Sequence, residues 1–193
     1  MVENKIYVLA GTPGVGKSTI LREFKKVKPH FQVINFGDVM FDIAKENFKL
    51  KNGGEITNRD EIRQLSSPNF KKLQNRVVRH LAKIQSSFIL NTHASVKTID
   101  GYHPGLPRYV LEQLPIECFI YIHAPLAQII QRRNNDKSRK RDIETIEDLK
   151  EHDEMNRNYL ASYSMFCNSP VKFLVNAEGS LDKCVNDLCD LLE

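Results

Sequence analysis

The chain has 193 residues, a formal net charge of +4 and 41% hydrophobic residues. This length predicts one domain, 1–193, with apolar content sufficient for a core and no run near the ~20 residues of a membrane span. A charge of +4 suits an anionic small substrate and falls short of the dense basic face expected of a nucleic-acid binder.

The first residues have neither the basic start nor the cleavage site of a signal peptide, which predicts a cytoplasmic protein. Ile6 to Ala10 is an apolar, β-prone run and predicts a buried strand. It leads into Gly11-Thr12-Pro13-Gly14-Val15-Gly16-Lys17-Ser18, which satisfies G-x-x-x-x-G-K-[ST] at every specified position. Thr19 to Phe24 then reads as helix. Glycines let backbone N–H groups turn around a polyphosphate, and the helix start adds its positive dipole end. Lys17 can reach the outer phosphates, and the Ser18 hydroxyl can hold Mg²⁺.

Phe31 to Asn35 predicts a second strand, and Phe36 to Lys49 has helical spacing until Asn52-Gly53-Gly54 breaks it. Phe36-Gly37-Asp38-Val39 opens that helix, and its N-terminus can take an anion or a base edge. Arg59 to Leu65 predicts a short helix. Arg63 there can grip an acceptor phosphate, or it can serve a surface helix with i,i+4 charge pairing. Ser67-Pro68 opens a longer helix over Asn69 to Gln85. Ser87 to Asn91 is the third strand, and Val96 to Pro107 reads as a long loop. Asn91 can accept a hydrogen bond from metal-bound water without adding charge. His93 is either a phosphate ligand or a satisfied strand-end histidine.

Arg108 to Leu114 is a short helix stopped by Pro115, and Cys118 to Ile122 is the fourth strand. Pro125 to Arg133 begins another helix. The run that follows, about 132–142, holds Arg132, Arg133, Arg139, Lys140 and Arg141, and predicts a short lid over the phosphates. Thr145 to Phe166 is a long helix, Val171 to Val175 the fifth strand and Leu181 to Leu192 the closing helix. Five apolar strands separated by helices predict an α/β fold with a five-stranded parallel sheet covered on both faces. Ligands of such sheets bind beyond the carboxyl ends of the strands. Cys118, Cys167, Cys184 and Cys189 form no C-x-x-C pair and read as reduced thiols. The remaining histidines have no metal-ligand spacing.

Together these motifs resemble the archaeal-type adenylate kinases, a compact branch of the nucleoside monophosphate kinases in the P-loop NTPase superfamily. Beyond the phosphate loop, the resemblance rests on Val33 to Met40, Arg59 to Arg63, Thr92 to Thr98, Gly101-Tyr102, Gly105-Leu106-Pro107, the basic run and Met155-Asn156-Arg157. It implies a three-layer P-loop kinase fold with a helical AMP-binding insert at about 36–86 and a short lid. It also implies a phosphotransferase that interconverts ATP plus AMP and two ADP with Mg²⁺, acting as a trimer. By position, Gly11, Thr12, Pro13, Gly14, Val15, Gly16, Lys17, Ser18 and Thr19 bind ATP. Asn35, Phe36, Gly37, Met40 and Arg63 serve AMP, with His93 nearby, and Lys17, Arg133, Arg139 and Arg141 act on the transferred group. Asn176 to Gly179 falls beside the adenine, and Asn91 stands where the family usually has Asp. Three alternatives stay open: a kinase for another monophosphate, a related ATPase acting as a switch or assembly factor, and GTP as donor. The last lacks an N-K-x-D motif.

Overall fold

A computed structural model describes residues 4–50, 52–98, 101–135 and 145–192. In chain order the strands are β1 (Ile6–Ala10), β2 (Gln32–Asn35), β3 (Phe88–Asn91), β4 (Ser95–Thr98), β5 (Gly101–Pro104), β6 (Ile116–His123) and β7 (Val171–Val175). The helices are α1 (Lys17–Val27), α2 (Phe36–Asn47), α3 (Ser67–Leu81), α4 (Arg108–Leu111), α5 (Leu126–Asn135), α6 (Ile146–Cys167) and α7 (Leu181–Asp190). Five strands form one parallel sheet in the order β2-β3-β1-β6-β7. The first strand of the chain is therefore central, and the loop that leaves it emerges in the middle of the sheet edge.

Alternation along β1 divides the core into two layers, because successive side chains of a strand point to opposite faces. Ile6, Val8 and Ala10 join residues of α2, α3, α4 and α6 on one face. Tyr7 and Leu9 join residues of α1, α5 and α7 on the other. Every residue of β1 is buried, as a central strand covered on both faces requires. The result is the expected three-layer α/β arrangement. None of the described helices is long and apolar enough to cross a membrane. None of the four cysteines is in a disulfide, and burial pushes the Cys184 thiol up to about 11.

The structure corrects the sequence reading in several places. Residues 96–107 are not one irregular loop, because β4 and β5 pair as an antiparallel hairpin. Val96 and Thr98 are β-branched and suit a strand, and Gly101, at φ 112, takes the left-handed conformation at the turn. Partners distant in sequence fix the hairpin. Asn156 Oδ1 accepts from the Ser95 amide and hydroxyl at 3.0 and 2.7 Å, and the Tyr159 hydroxyl donates to the Tyr102 carbonyl at 2.7 Å. The predicted helix at Arg59 to Leu65 is a 3₁₀ turn over Asp60–Gln64. α2 ends two residues early, where Phe48 adopts an extended conformation and Lys49 bridges to Glu55. α3 stops at Leu81 rather than Gln85. Arg132 and Arg133 lie within α5, as the helix expected from Pro125 to Arg133 has them, so they do not belong to the lid run at about 132–142. Of the expected lid, residues 136–142 lie outside the described residues.

Candidate active site

The phosphate loop spans the turn from β1 into α1, with Gly16 as N-cap of α1 in the left-handed region at φ 98. Local chemistry sets its shape. Gly14, at φ 95, needs the freedom of glycine, and a Cβ there would also lie 2.6 Å from Arg133 Cγ. A Cβ on Gly16 would lie 2.5 Å from Asn176 Nδ2. The loop is thus shaped to fit against α5 and the turn after β7. Its middle is held by one carbonyl, that of Val15, which accepts from Asn176 Nδ2 at 2.8 Å and from Arg132 at 3.1 Å. Arg132 also donates to the Asn176 carbonyl at 2.9 Å. Lys17 folds back so that its Nζ donates to the Gly11 carbonyl at 2.7 Å. Val15 is fully buried, whereas Pro13, Lys17 and Thr19 are half-buried and Ser18 is exposed on the first turn of α1.

Thr12 leads to a network that the sequence motif does not announce. Its side chain is buried, and its hydroxyl lies 3.0 Å from the Tyr121 hydroxyl and donates to Asp153 Oδ1 at 3.2 Å. The Tyr121 hydroxyl donates to the same oxygen at 2.7 Å. The other carboxylate oxygen of Asp153 accepts from Arg157 Nε at 2.7 Å. The Arg157 guanidinium lies over the rings of Tyr121 and Phe173, at 5.3 and 5.1 Å from their centroids. Burial is the main reason the Tyr121 phenol stays above its ordinary range, so it serves as a donor. Phosphate loop, central sheet and α6 are thereby joined through one carboxylate.

The residues that the sequence assigns to an acceptor stand at the same sheet edge. Asn35 and Asn91 are register partners at the ends of β2 and β3, and Leu9 of β1 is opposite Asn91. Asn35 Oδ1 caps α2 by accepting from the Gly37 and Asp38 amides at 3.0 and 3.4 Å. Phe36 and Met40 are buried in the core beneath this edge. Arg59 pairs with Asp38, which ties the 3₁₀ turn to the start of α2. The Arg63 side chain, together with Arg139 and Arg141, lies outside the described residues. His93 is exposed just past β3.

Asn91 Oδ1 is buried and accepts no hydrogen bond among the described residues. An orphaned neutral acceptor one strand from the phosphate loop fits the second sphere of a Mg²⁺ ion, where metal-bound water would donate to it. With the exposed Ser18 hydroxyl as direct ligand, the residues present fit a phosphate-bound cation.

Sequence reasoning found the loop, Lys17 and the polar strand ends. It missed Asp153, Tyr121 and the anchoring by Arg132 and the Asn176 side chain. The available signals were a tyrosine inside an apolar strand and a buried polar side chain just past the last one.

Comparison with known proteins agrees with this geometry. The sequence model of the family described as "AAA domain" matches residues 10–150. The chain is 36% identical to an adenylate kinase of Methanocaldococcus jannaschii, with all of both chains covered. It is 37% identical to an adenylate kinase of Thermoplasma acidophilum, over 96% of this chain and 97% of the relative. Among solved structures, shikimate kinase from Bacteroides thetaiotaomicron superposes with a TM-score of 0.58 at 11% identity, covering 97% of this chain and 98% of that one. Shikimate kinase from Acinetobacter baumannii superposes at 0.55 with 14% identity, covering 99% and 93%. These two likenesses concern the fold alone. With a phosphate loop at the centre of a five-stranded parallel sheet and full-length identity to archaeal enzymes, the chain belongs to the adenylate kinase family.

Proposed function

We propose that the protein transfers the γ-phosphoryl group of ATP to AMP, reversibly and with Mg²⁺, giving two ADP. The observation that carries this reading is the meeting, at one sheet edge, of the phosphate loop with Lys17, the Arg133 stem and the strand ends Asn35 and Asn91. In the proposed reaction an oxygen of the AMP phosphate attacks the γ-phosphorus, and the bond from that phosphorus to the bridging oxygen of ADP breaks. The attacking oxygen is already anionic, so no protein base is required. Positioning and charge neutralisation by Lys17 and Arg133 do the work. Ser18 and, through water, Asn91 would hold Mg²⁺, which would further neutralise the phosphates when bound.

The proposal gives Gly11 to Thr19 the ATP phosphates and gives Asn35 to Met40 with Arg63 the AMP side. By resemblance to the archaeal enzymes it gives Arg139 and Arg141 the transferred group. His93 is a candidate for one phosphate. It includes the helical insert at about 36–86, a trimeric assembly and a cytoplasmic location, each supported by resemblance to the archaeal enzymes.

The test is an acceptor panel. Purified protein with ATP and Mg²⁺ is offered AMP, CMP, UMP or GMP, and ADP formation is followed in a coupled assay. ADP should form fastest with AMP and stop on chelation of Mg²⁺. Faster turnover of another monophosphate would reassign the acceptor. ATP hydrolysis without ADP from ATP plus AMP would instead favour a nucleotide-driven switch. Light scattering on the same preparation reads the subunit number.

A further inference from the structure

A second basic site lies away from the phosphate loop. Lys49, Lys72, Arg76 and Arg79 line an open groove of about 770 Å³ between the end of α2 and the outer face of α3, beside Phe48 and Asn47. The groove contains no carboxylate and shares no residue with the phosphate loop or with the Asn35, Asn91 and Asp153 positions. Among the described residues none of its four cations has an acidic partner. Arg76 donates to the neutral Asn47 and lies 5.6 Å from the centroid of the Phe48 ring. Several basic side chains elsewhere on the surface do have acidic partners, as in Lys26–Glu23, Lys45–Asp42, Lys97–Asp148 and Arg108–Glu112.

The imbalance begins in the sequence, where every charged side chain between Ile62 and Ile99 is Lys or Arg. Helical spacing then gathers it. Lys72, Arg76 and Arg79 follow at i, i+4 and i+7, so they stand on one face over roughly 10 Å of axis. Like charges at these spacings repel by a few tenths of a kcal/mol each. Among the described residues no carboxylate offsets that repulsion, whereas a polyanion lying along the groove would.

The aromatic and amide groups narrow the class of polyanion. Phe48 is half-buried against the core with the Arg76 guanidinium over its ring, so the planar guanidinium backed by that ring offers a stacking surface to a base, and an amide can meet base edges. The Asp and Glu side chains of an acidic peptide carry no flat ring to stack there. We infer that the α2–α3 groove binds single-stranded nucleic acid, with Lys49, Lys72, Arg76 and Arg79 on its phosphates and the Phe48–Arg76 pair against a base. This binding is additional to adenylate kinase chemistry: the groove lies within the helical insert at about 36–86, yet none of its residues is among those assigned to AMP, Asn35 to Met40 and Arg63. The net charge of +4 conceals the site because acidic side chains on other faces cancel it in the sum.

The experiment is fluorescence anisotropy with a labelled single strand of about 12 nucleotides, within the usual site size for such binders. RNA, DNA and inorganic polyphosphate serve as competitors. Four phosphate contacts predict an affinity that falls roughly 50-fold between about 50 and 200 mM salt. The exposed pair Lys72→Glu/Arg76→Glu should lose roughly tenfold or more in affinity. Its rate of ADP formation from ATP and AMP should stay at the parent value. Phe48→Leu should weaken binding roughly fivefold or more while leaving the salt slope unchanged. Lys49→Glu/Arg79→Glu repeats the reversal independently, with circular dichroism reporting the fold of each variant. Absence of binding at about 50 mM salt overturns the inference. So does parent-like binding in folded reversal variants. Displacement by polyphosphate as effective as by RNA, with no effect of Phe48→Leu, would reduce the groove to an unspecific anion surface and also overturns it.

Discussion

Asp153 takes donors from three parts of the molecule: Thr12 of the phosphate loop, Tyr121 of β6 and Arg157 one turn further along α6. A carboxylate in that position aligns the loop, because each donor is held by a charge-assisted bond that a neutral acceptor would only weakly replace. We expect Asp153→Asn to raise the KM for ATP roughly tenfold, the scale of one hydrogen bond to a charged group. The KM for AMP should not change, since the network meets the phosphate loop and not the ends of β2 and β3. Tyr121→Phe should cause a smaller rise, and the double variant should fall short of the summed effects because both act on one network. Steady-state kinetics on the three variants measure this, and equal rises in both Michaelis constants would point to general loosening. At this scale the phosphate loop was legible in the sequence because its conformation comes from contiguous residues. Asp153 was not legible, because its partners lie 141 and 32 residues away.

The hairpin and α6 depend on one another. Asp148 completes the capping box of α6 with Thr145 and also accepts from Lys97 of β4 at 3.0 Å. Lys97 is the chief reason the Asp148 carboxyl is held down at about 2, with the Thr145 amide and hydroxyl adding to it. A carboxylate whose acidity is strengthened by folding contributes stability above its ordinary value of 3.8, and that contribution is lost as pH falls towards about 2. Asp148→Asn should therefore lower the unfolding temperature at neutral pH and reduce the loss seen in the parent between about pH 4 and pH 2. Thermal melts followed by circular dichroism across that range check it. Identical pH profiles would remove Asp148 as a contributor. Periodicity located α6 to within a residue at each end, because its apolar face and cap are local signals. The pairing of β4 with β5 escaped it, because what stabilises that short polar hairpin is Asn156, Tyr159 and Tyr163 of α6.

Across the whole molecule, the sheet divides the core into two layers that share the central strand. Leu9 of β1 is fully buried in the layer it shares with α1. Leu9→Ala should cost about 2–5 kcal/mol, the range for a leucine removed from a core that cannot collapse around the gap. Urea unfolding would register this as a lower midpoint with unchanged slope. Sequence alone determined the strand-helix alternation, the phosphate loop and the five apolar strands of the parallel sheet, because those signals are periodic or contiguous and survive without knowledge of neighbours. Only the tertiary structure decided the strand order, the carboxylate that joins the loop to α6, and the gathering of unmatched cations between α2 and α3. Each of these depends on distances between residues far apart in the chain, and such distances exist only once the layers have packed.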